Sequence, residues 1–145
     1  MKFTKLLPNS CNFRDLIDNN RVYVDKTALI CQIAKDEKGP YFISRPRRFG
    51  KSTLINTFHE LFAHGTERFK VLEIEPLWKD KTYKVIHLDF STFREVPSNS
   101  SFNKEFMDAF KLSLEEAGIE PTKENIDSPA NLLKKTLDTE SEVVL

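Results

Sequence analysis

Gly50, Lys51 and Ser52 follow one another directly behind an arginine-rich stretch, Arg45-Pro46-Arg47-Arg48-Phe49. Glycine lets the backbone approach a ligand closely, lysine supplies a compact positive charge, and serine offers a hydroxyl to a hard cation. Binding a triphosphate needs those three properties beside a helix start, where free amides and the helix dipole face the anion. The pattern is that of a P-loop, or Walker A motif: a buried strand, a glycine-rich loop, then Gly-Lys-Ser/Thr opening a helix. One position departs from it, because Arg45 stands where the standard pattern has glycine.

The elements around the triplet have to position it. Tyr41-Phe42-Ile43 is apolar at consecutive positions, which predicts a strand buried on both faces and leading into the loop. From Lys51 onward Leu54, Ile55, Phe58, Leu61 and Phe62 recur every three or four residues, the stripe of a core-facing helix that Gly65 can stop. Upstream, residues 11–17 predict a short helical turn with Phe13, Leu16 and Ile17 on one side, and Val22-Tyr23-Val24 is a short β-prone run. Asp25 has the chemistry to accept free amides at the start of a helix carrying Leu29, Ile30, Ile33 and Ala34, with Gly39-Pro40 to end it.

Downstream, residues 85–90 predict a second strand, preceded by a loop that includes Trp78. A polar turn over residues 97–101 leads into a helix with Phe102, Phe106, Phe110 and Leu114 on one face and Gly118 at its close. Ser128-Pro129 is a capping residue followed by proline at a first helical position, and Leu132, Leu133 and Leu137 continue that helix. Glu142-Val143-Val144-Leu145 reads as the opening of a strand. Strands alternating with helices predict an α/β fold with a parallel sheet.

Composition bounds the function classes. The 145 residues fit one compact domain, with 39% hydrophobic and 30% charged residues and twelve phenylalanines for a core. A formal net charge of zero argues against general polyanion binding, though not against a local basic patch. No window approaches the roughly 18 consecutive apolar residues of a membrane span, and the first nine residues lack a signal-peptide core, so a cytoplasmic location is expected. Cys11 and Cys31 fit neither a disulfide framework nor a metal knuckle and are expected to be reduced core thiols.

Two other patterns carry alternative chemistry. His59 and His64 flank Glu60 in a near match to the zinc-protease motif. They are five residues apart, about 140° around a helix, so they cannot share one metal. Arg45, Arg47, Arg48 and Lys51 could instead grip a nucleic-acid backbone, since arginine forks suit phosphate generally, but no aromatic platform accompanies them.

The 45–52 run, preceded by Tyr23-Val24-Asp25-Lys26-Thr27 and followed by the 58–69 and 85–91 segments, resembles the AAA-ATPase-like family of bacterial P-loop proteins. The resemblance covers most of residues 10–95, and arginine at position 45 is then the expected residue. It implies ATP and Mg²⁺ as cofactors and a P-loop NTPase-type parallel sheet with flanking helices. It makes Arg47, Arg48, Phe49, Gly50, Lys51, Ser52 and Thr53 the nucleotide-binding candidates, with the Ser52 hydroxyl on magnesium. Tyr23, Asp25 and Lys26 belong to the same signature, without a chemistry that the sequence derives. Members of the family often join this module to a C-terminal nuclease-like domain, which makes a downstream ATPase half or nuclease domain the partner the resemblance implies.

An ATPase of this class also holds magnesium with an aspartate at the end of an apolar strand, commonly followed by a glutamate. Asp89 ends such a run, but Phe90 occupies the place of the glutamate. By resemblance, residues 85–90 correspond instead to the strand before the magnesium strand, and residues 142–145 to its opening. The expectation is therefore an N-terminal portion of a P-loop domain over residues 1–145, cut before its acidic strand, incomplete in its sheet and without hydrolytic activity alone. The strands at 41–44 and 85–90 would then lack neighbours and expose unpaired edges, each unsatisfied buried backbone group costing roughly 1–3 kcal/mol. The rival readings are a nucleic-acid-binding module using Arg45, Arg47, Arg48 and Lys51, and an inert remnant of a disrupted gene.

Overall fold

A computed structural model describes residues 12–35, 40–79, 81–90, 99–120, 128–139 and 143–144, with side chains from 102 onward in the fourth of these stretches. The chain forms two compact units, Met1–Thr82 and Tyr83–Leu145. Together they make a helix-rich structure with one small parallel sheet among the described residues, an arrangement compatible with the α/β class.

The first unit contains α1 (Phe13–Asp18), α2 (Thr27–Ala34) and α3 (Lys51–His64). In α1, Asn12 caps the start by accepting the Arg14 amide, and Phe13, Leu16 and Ile17 are buried, as their spacing predicts. The Phe13 ring stacks on Phe69 at 4.7 Å between centroids and meets Tyr23 edge-on at 5.1 Å. Ile30, Leu61, Phe69, Ile74 and Trp78 complete this core, and Phe62 of α3 packs edge-on against Trp78. Cys31 is a buried free thiol, and Cys11 lies outside the described residues. The 14-residue α3 ends at Gly65, whose φ of 67° takes the chain out of the helix while its amide bonds the Leu61 carbonyl.

The run 41–43 does not form the predicted strand. Residues 40–46 pair with no strand among the described residues, and Phe42 is 94% exposed. An all-apolar strand is stable only when neighbours take up its amides and both faces are covered. Here no strand pairs with the run among the described residues, and the Phe42 face is left uncovered. Val22-Tyr23-Val24 likewise forms no strand, with Val22 and Val24 exposed.

In the second unit β1 (Lys84–Val85) pairs in parallel with β2 (Val143–Val144), Lys84 opposite Val143 and Val85 opposite Val144. The predicted strand over 85–90 is therefore shorter than its apolar run, while the strand opening at Val143-Val144 forms as predicted. Between them come α4 (Asn99–Glu116) and α5 (Pro129–Thr139), which pack on each other. Ile86, Phe110, Leu114, Ile119 and Leu132 make the buried cluster. Phe102, Phe106 and Phe110 stack successively along α4, as the four-residue spacing predicts. The 97–98 part of the predicted polar turn and the Gly39 helix stop lie outside the described residues.

Candidate phosphate-loop site

Residues 45–50 form an exposed turn that ends at the first residue of α3. Gly50 sits at the N-cap with φ 73° and ψ 22°, left-handed backbone that a Cβ disfavours although no neighbouring atom would touch one. Arg48, two residues earlier, is also left-handed at φ 66°, a strained state for a residue with a side chain. Because Gly50 has no side chain, no side-chain cap bonds the start of α3. The first amide of the helix to find an intrahelical carbonyl is that of Leu54, on Gly50 at 2.9 Å. The helix thus begins with its polar amide end facing outward, the local property an anion requires.

The Lys51 ammonium folds back over this turn. It donates to the Arg45 carbonyl and, at 3.4 Å, to the Pro46 carbonyl. Arg45, Arg47, Arg48, Phe49 and Ser52 are exposed around it, and Thr53 is half-buried. The loop therefore gathers three guanidinium groups, one ammonium and two hydroxyls on one short stretch of chain. Their chemistry suits a polyphosphate and its magnesium ion: cations and amides for phosphate oxygens, and a hydroxyl for a hard metal.

A cavity of about 350 Å³ opens beside the loop. One wall is Arg45, Phe49 and the first two turns of α3; the other is Val22, Tyr23, Val24, Lys26 and the apolar side of α2. The structure so brings the Tyr23-to-Thr27 segment and the 45–52 loop to one place, although they lie 18 or more positions apart in sequence.

Each member of the upstream segment has a definite task. Tyr23 hydrogen-bonds the Thr57 side chain on α3 while its ring rests on Phe13. Burial pushes the Tyr23 phenol up from its ordinary value; the Thr57 bond pulls it part of the way back, and the Asp25 carboxylate raises it again. Asp25 Oδ1 accepts from the Thr27 amide at 2.8 Å and the Thr27 hydroxyl at 2.7 Å, and its Oδ2 accepts from the Glu73 amide at 2.9 Å. Burial alone would raise the Asp25 carboxyl, but those three bonds outweigh it and hold it below the usual carboxylate range. Thr27 Oγ1 in turn accepts the Ile74 amide at 3.1 Å. Asp25 and Thr27 therefore tie the start of α2 to the 73–74 turn, in keeping with the amide-accepting role its side chain predicts. Lys26 is exposed and lines the cavity.

Two buried polar residues of α3 carry contacts that the pattern did not reveal. Thr57 is fully buried and also donates to the Thr53 carbonyl at 2.7 Å. Glu60, 4% exposed, accepts from Arg68 at 2.7 Å and from Arg14 at 3.4 Å. Arg68 also reaches Asp18, and Arg14 Nη2 lies 2.9 Å from His64 Nε2. An arginine can only donate, so that ring nitrogen accepts and the His64 proton sits on Nδ1. Glu60 is thus an ion-pair centre holding α1 to α3. The His59 and His64 rings stand 6.5 Å apart edge to face, and no group of three or more metal-ligating side chains occurs among the described residues. Asp89, the other metal candidate, is exposed just beyond β1 in the second unit.

The family described as predicted AAA-ATPase matches residues 10–144, and the chain belongs to this AAA-ATPase-like family. A protein of Azotobacter chroococcum mcd 1, described as an uncharacterized protein in the vnfD 5' region, is 41% identical over 70 residues. That match covers 47% of this chain and 13% of the relative, so the chain spans a small part of that protein's length. No solved structure matches. No helix among the described residues is long and apolar enough to cross a membrane.

Proposed function

We propose that the chain binds ATP with magnesium through the 45–53 loop, in a P-loop NTPase-type site. In this reading the amides at the start of α3 and the Lys51 ammonium take the phosphate oxygens. Arg47 and Arg48 flank them, Phe49 covers the loop, and the Ser52 hydroxyl ligates magnesium, with Thr53 behind it. Bound magnesium would neutralise part of the phosphate charge.

The observation that carries the reading is the Lys51 side chain turned over the loop carbonyls at an uncapped, left-handed start of α3. Those carbonyls hold the ammonium over the exposed loop, where phosphate oxygens would replace them as its acceptors. Membership of the AAA-ATPase-like family supports the same ligand.

Isothermal titration with Mg-ATP tests it, followed in parallel by fluorescence of Trp78, which is buried against Phe62 of α3. Saturable binding that is lost in Lys51→Ala is the expected result. Equal binding by that variant would overturn the assignment.

A further inference from the structure

We propose that Thr57, held by Tyr23, is a positioning residue for the phosphate loop: its buried hydroxyl fixes the first turn of α3, and with it the amides that meet the ligand. This rests on the phosphate-loop reading and adds to it two residues that act from behind the loop.

Thr57 is fully buried in the middle of α3, where its hydroxyl donates to the Thr53 carbonyl at 2.7 Å. Thr53 is the third residue of that helix and carries the last amide before the intrahelical ladder, which starts with Leu54 on Gly50. A bond to the Thr53 carbonyl therefore acts one peptide away from a group that can face an anion. Tyr23 hydrogen-bonds the same Thr57 side chain from outside α3. A threonine hydroxyl has one proton, and the Thr53 carbonyl takes it, so the neutral phenol donates to Thr57 Oγ1. A phenolate would draw that proton to itself and release the carbonyl.

Tyr23 is itself fixed. Its ring meets Phe13 edge-on at 5.1 Å, Phe13 stacks on Phe69, and Asp25, two residues on, accepts the Glu73 amide. Two hydroxyls thus connect the core of the first unit to the start of α3. A threonine bonding back to a carbonyl is unfavourable inside a helix, and a buried hydroxyl must keep its partners. Valine would fill the same volume without either need. What the hydroxyl adds is direction, because it sets the Thr53 carbonyl relative to a wall that belongs to the core.

The test is calorimetry of Mg-ATP and Mg-tripolyphosphate on the full chain, with folding of each variant checked by circular dichroism. Thr57→Val keeps the volume and removes the hydroxyl. It should weaken both ligands about tenfold, the order by which losing an outer hydrogen-bond partner weakens a site, while Thr57→Ser stays within about twofold of wild type. Tyr23→Phe should weaken both ligands less than Thr57→Val does. The double variant Tyr23→Phe/Thr57→Val should bind no worse than Thr57→Val alone, since both changes remove one bridge. Glu60→Gln is the control for stability: it disturbs the ion pairs to Arg14 and Arg68, so it should lower the urea midpoint and leave both affinities unchanged. Wild-type affinity in folded Thr57→Val or, where that variant does not fold, in Tyr23→Phe would overturn the positioning role. So would an equal loss in Thr57→Ser, additive losses in the double variant, or a loss as large in Glu60→Gln. A Lys51→Ala chain with full affinity for both ligands would instead sink the phosphate-loop reading, so the two failures are told apart.

Discussion

Two segments of the first unit, Tyr23-to-Thr27 and Arg45-to-Ser52, are equally dense in polar side chains but use them in opposite ways. In the upstream segment the Tyr23, Asp25 and Thr27 side chains hydrogen-bond other parts of the unit, reaching Thr57, Glu73 and Ile74. In the loop the arginines and Ser52 are exposed, and among the described residues Lys51 bonds carbonyls of the loop itself. The contrast separates a support from a candidate binding surface. Side chains whose bonds reach 30 to 50 residues along the chain hold a wall in place; side chains left at the surface remain available to a ligand.

That division can be broken experimentally from either side. The largest effect is expected at Lys51. Lys51→Ala should lower Mg-ATP affinity about a hundredfold, or roughly 3 kcal/mol, the order of a charge-assisted contact to phosphate. Its melting temperature should stay within a degree or so of wild type, because the bonds it loses are local and exposed. A large drop in melting temperature would show that the loop is structural after all.

Asp25→Ala should do the reverse. Losing three hydrogen bonds to one carboxylate, partly exposed and so discounted for solvent screening, is expected to cost about 2 kcal/mol in urea unfolding. The pH dependence sharpens the point. The Asp25 carboxyl is held below its ordinary value in the folded chain, so its contribution is present above the unfolded value, near pH 4, and is lost as pH falls through the folded one. The stability gap between wild type and Asp25→Asn should therefore stay constant from pH 7 to about 5 and narrow in acid below about 4. A gap that widens in acid would contradict the assignment.

Tyr23→Phe is the gentler probe of the same wall. It keeps the ring on Phe13 and removes only the bond to Thr57, so a loss of about 1 kcal/mol is expected. Gly50→Ala is expected to cost a similar amount, about 1 kcal/mol from a Cβ at φ 73°, with no clash to add to it. Its effect on Mg-ATP titration should exceed its effect on unfolding if the loop is a binding surface.

What was legible in sequence was local. The buried face of α1, the start of α3 at Gly50 and its stop at Gly65, the opening of α5 at Pro129 and the phenylalanine ladder of α4 depend on residues within a turn or two of each other. Periodicity, capping and glycine backbone freedom report on that range. The apolar run at 41–43 shows where local reading stops. Its pattern is that of a strand, yet a strand is a relation between two segments, and among the described residues Phe42 finds none. β1 exists because Val143 and Val144 lie beside Lys84 and Val85, across nearly 60 residues of chain.

The candidate site divides along the same line. Gly50-Lys51-Ser52, with the arginines before it, was legible as a candidate in the sequence alone, since these residues are neighbours at a helix start. Only the tertiary structure decided what Tyr23, Asp25, Thr57 and Glu60 do. A tyrosine, an acid or a threonine reads as a strand end, a cap or a solvated face until its partner is known. Those partners, Thr57, Glu73, Ile74, Arg14 and Arg68, stand near them only because the core of the first unit folds them there.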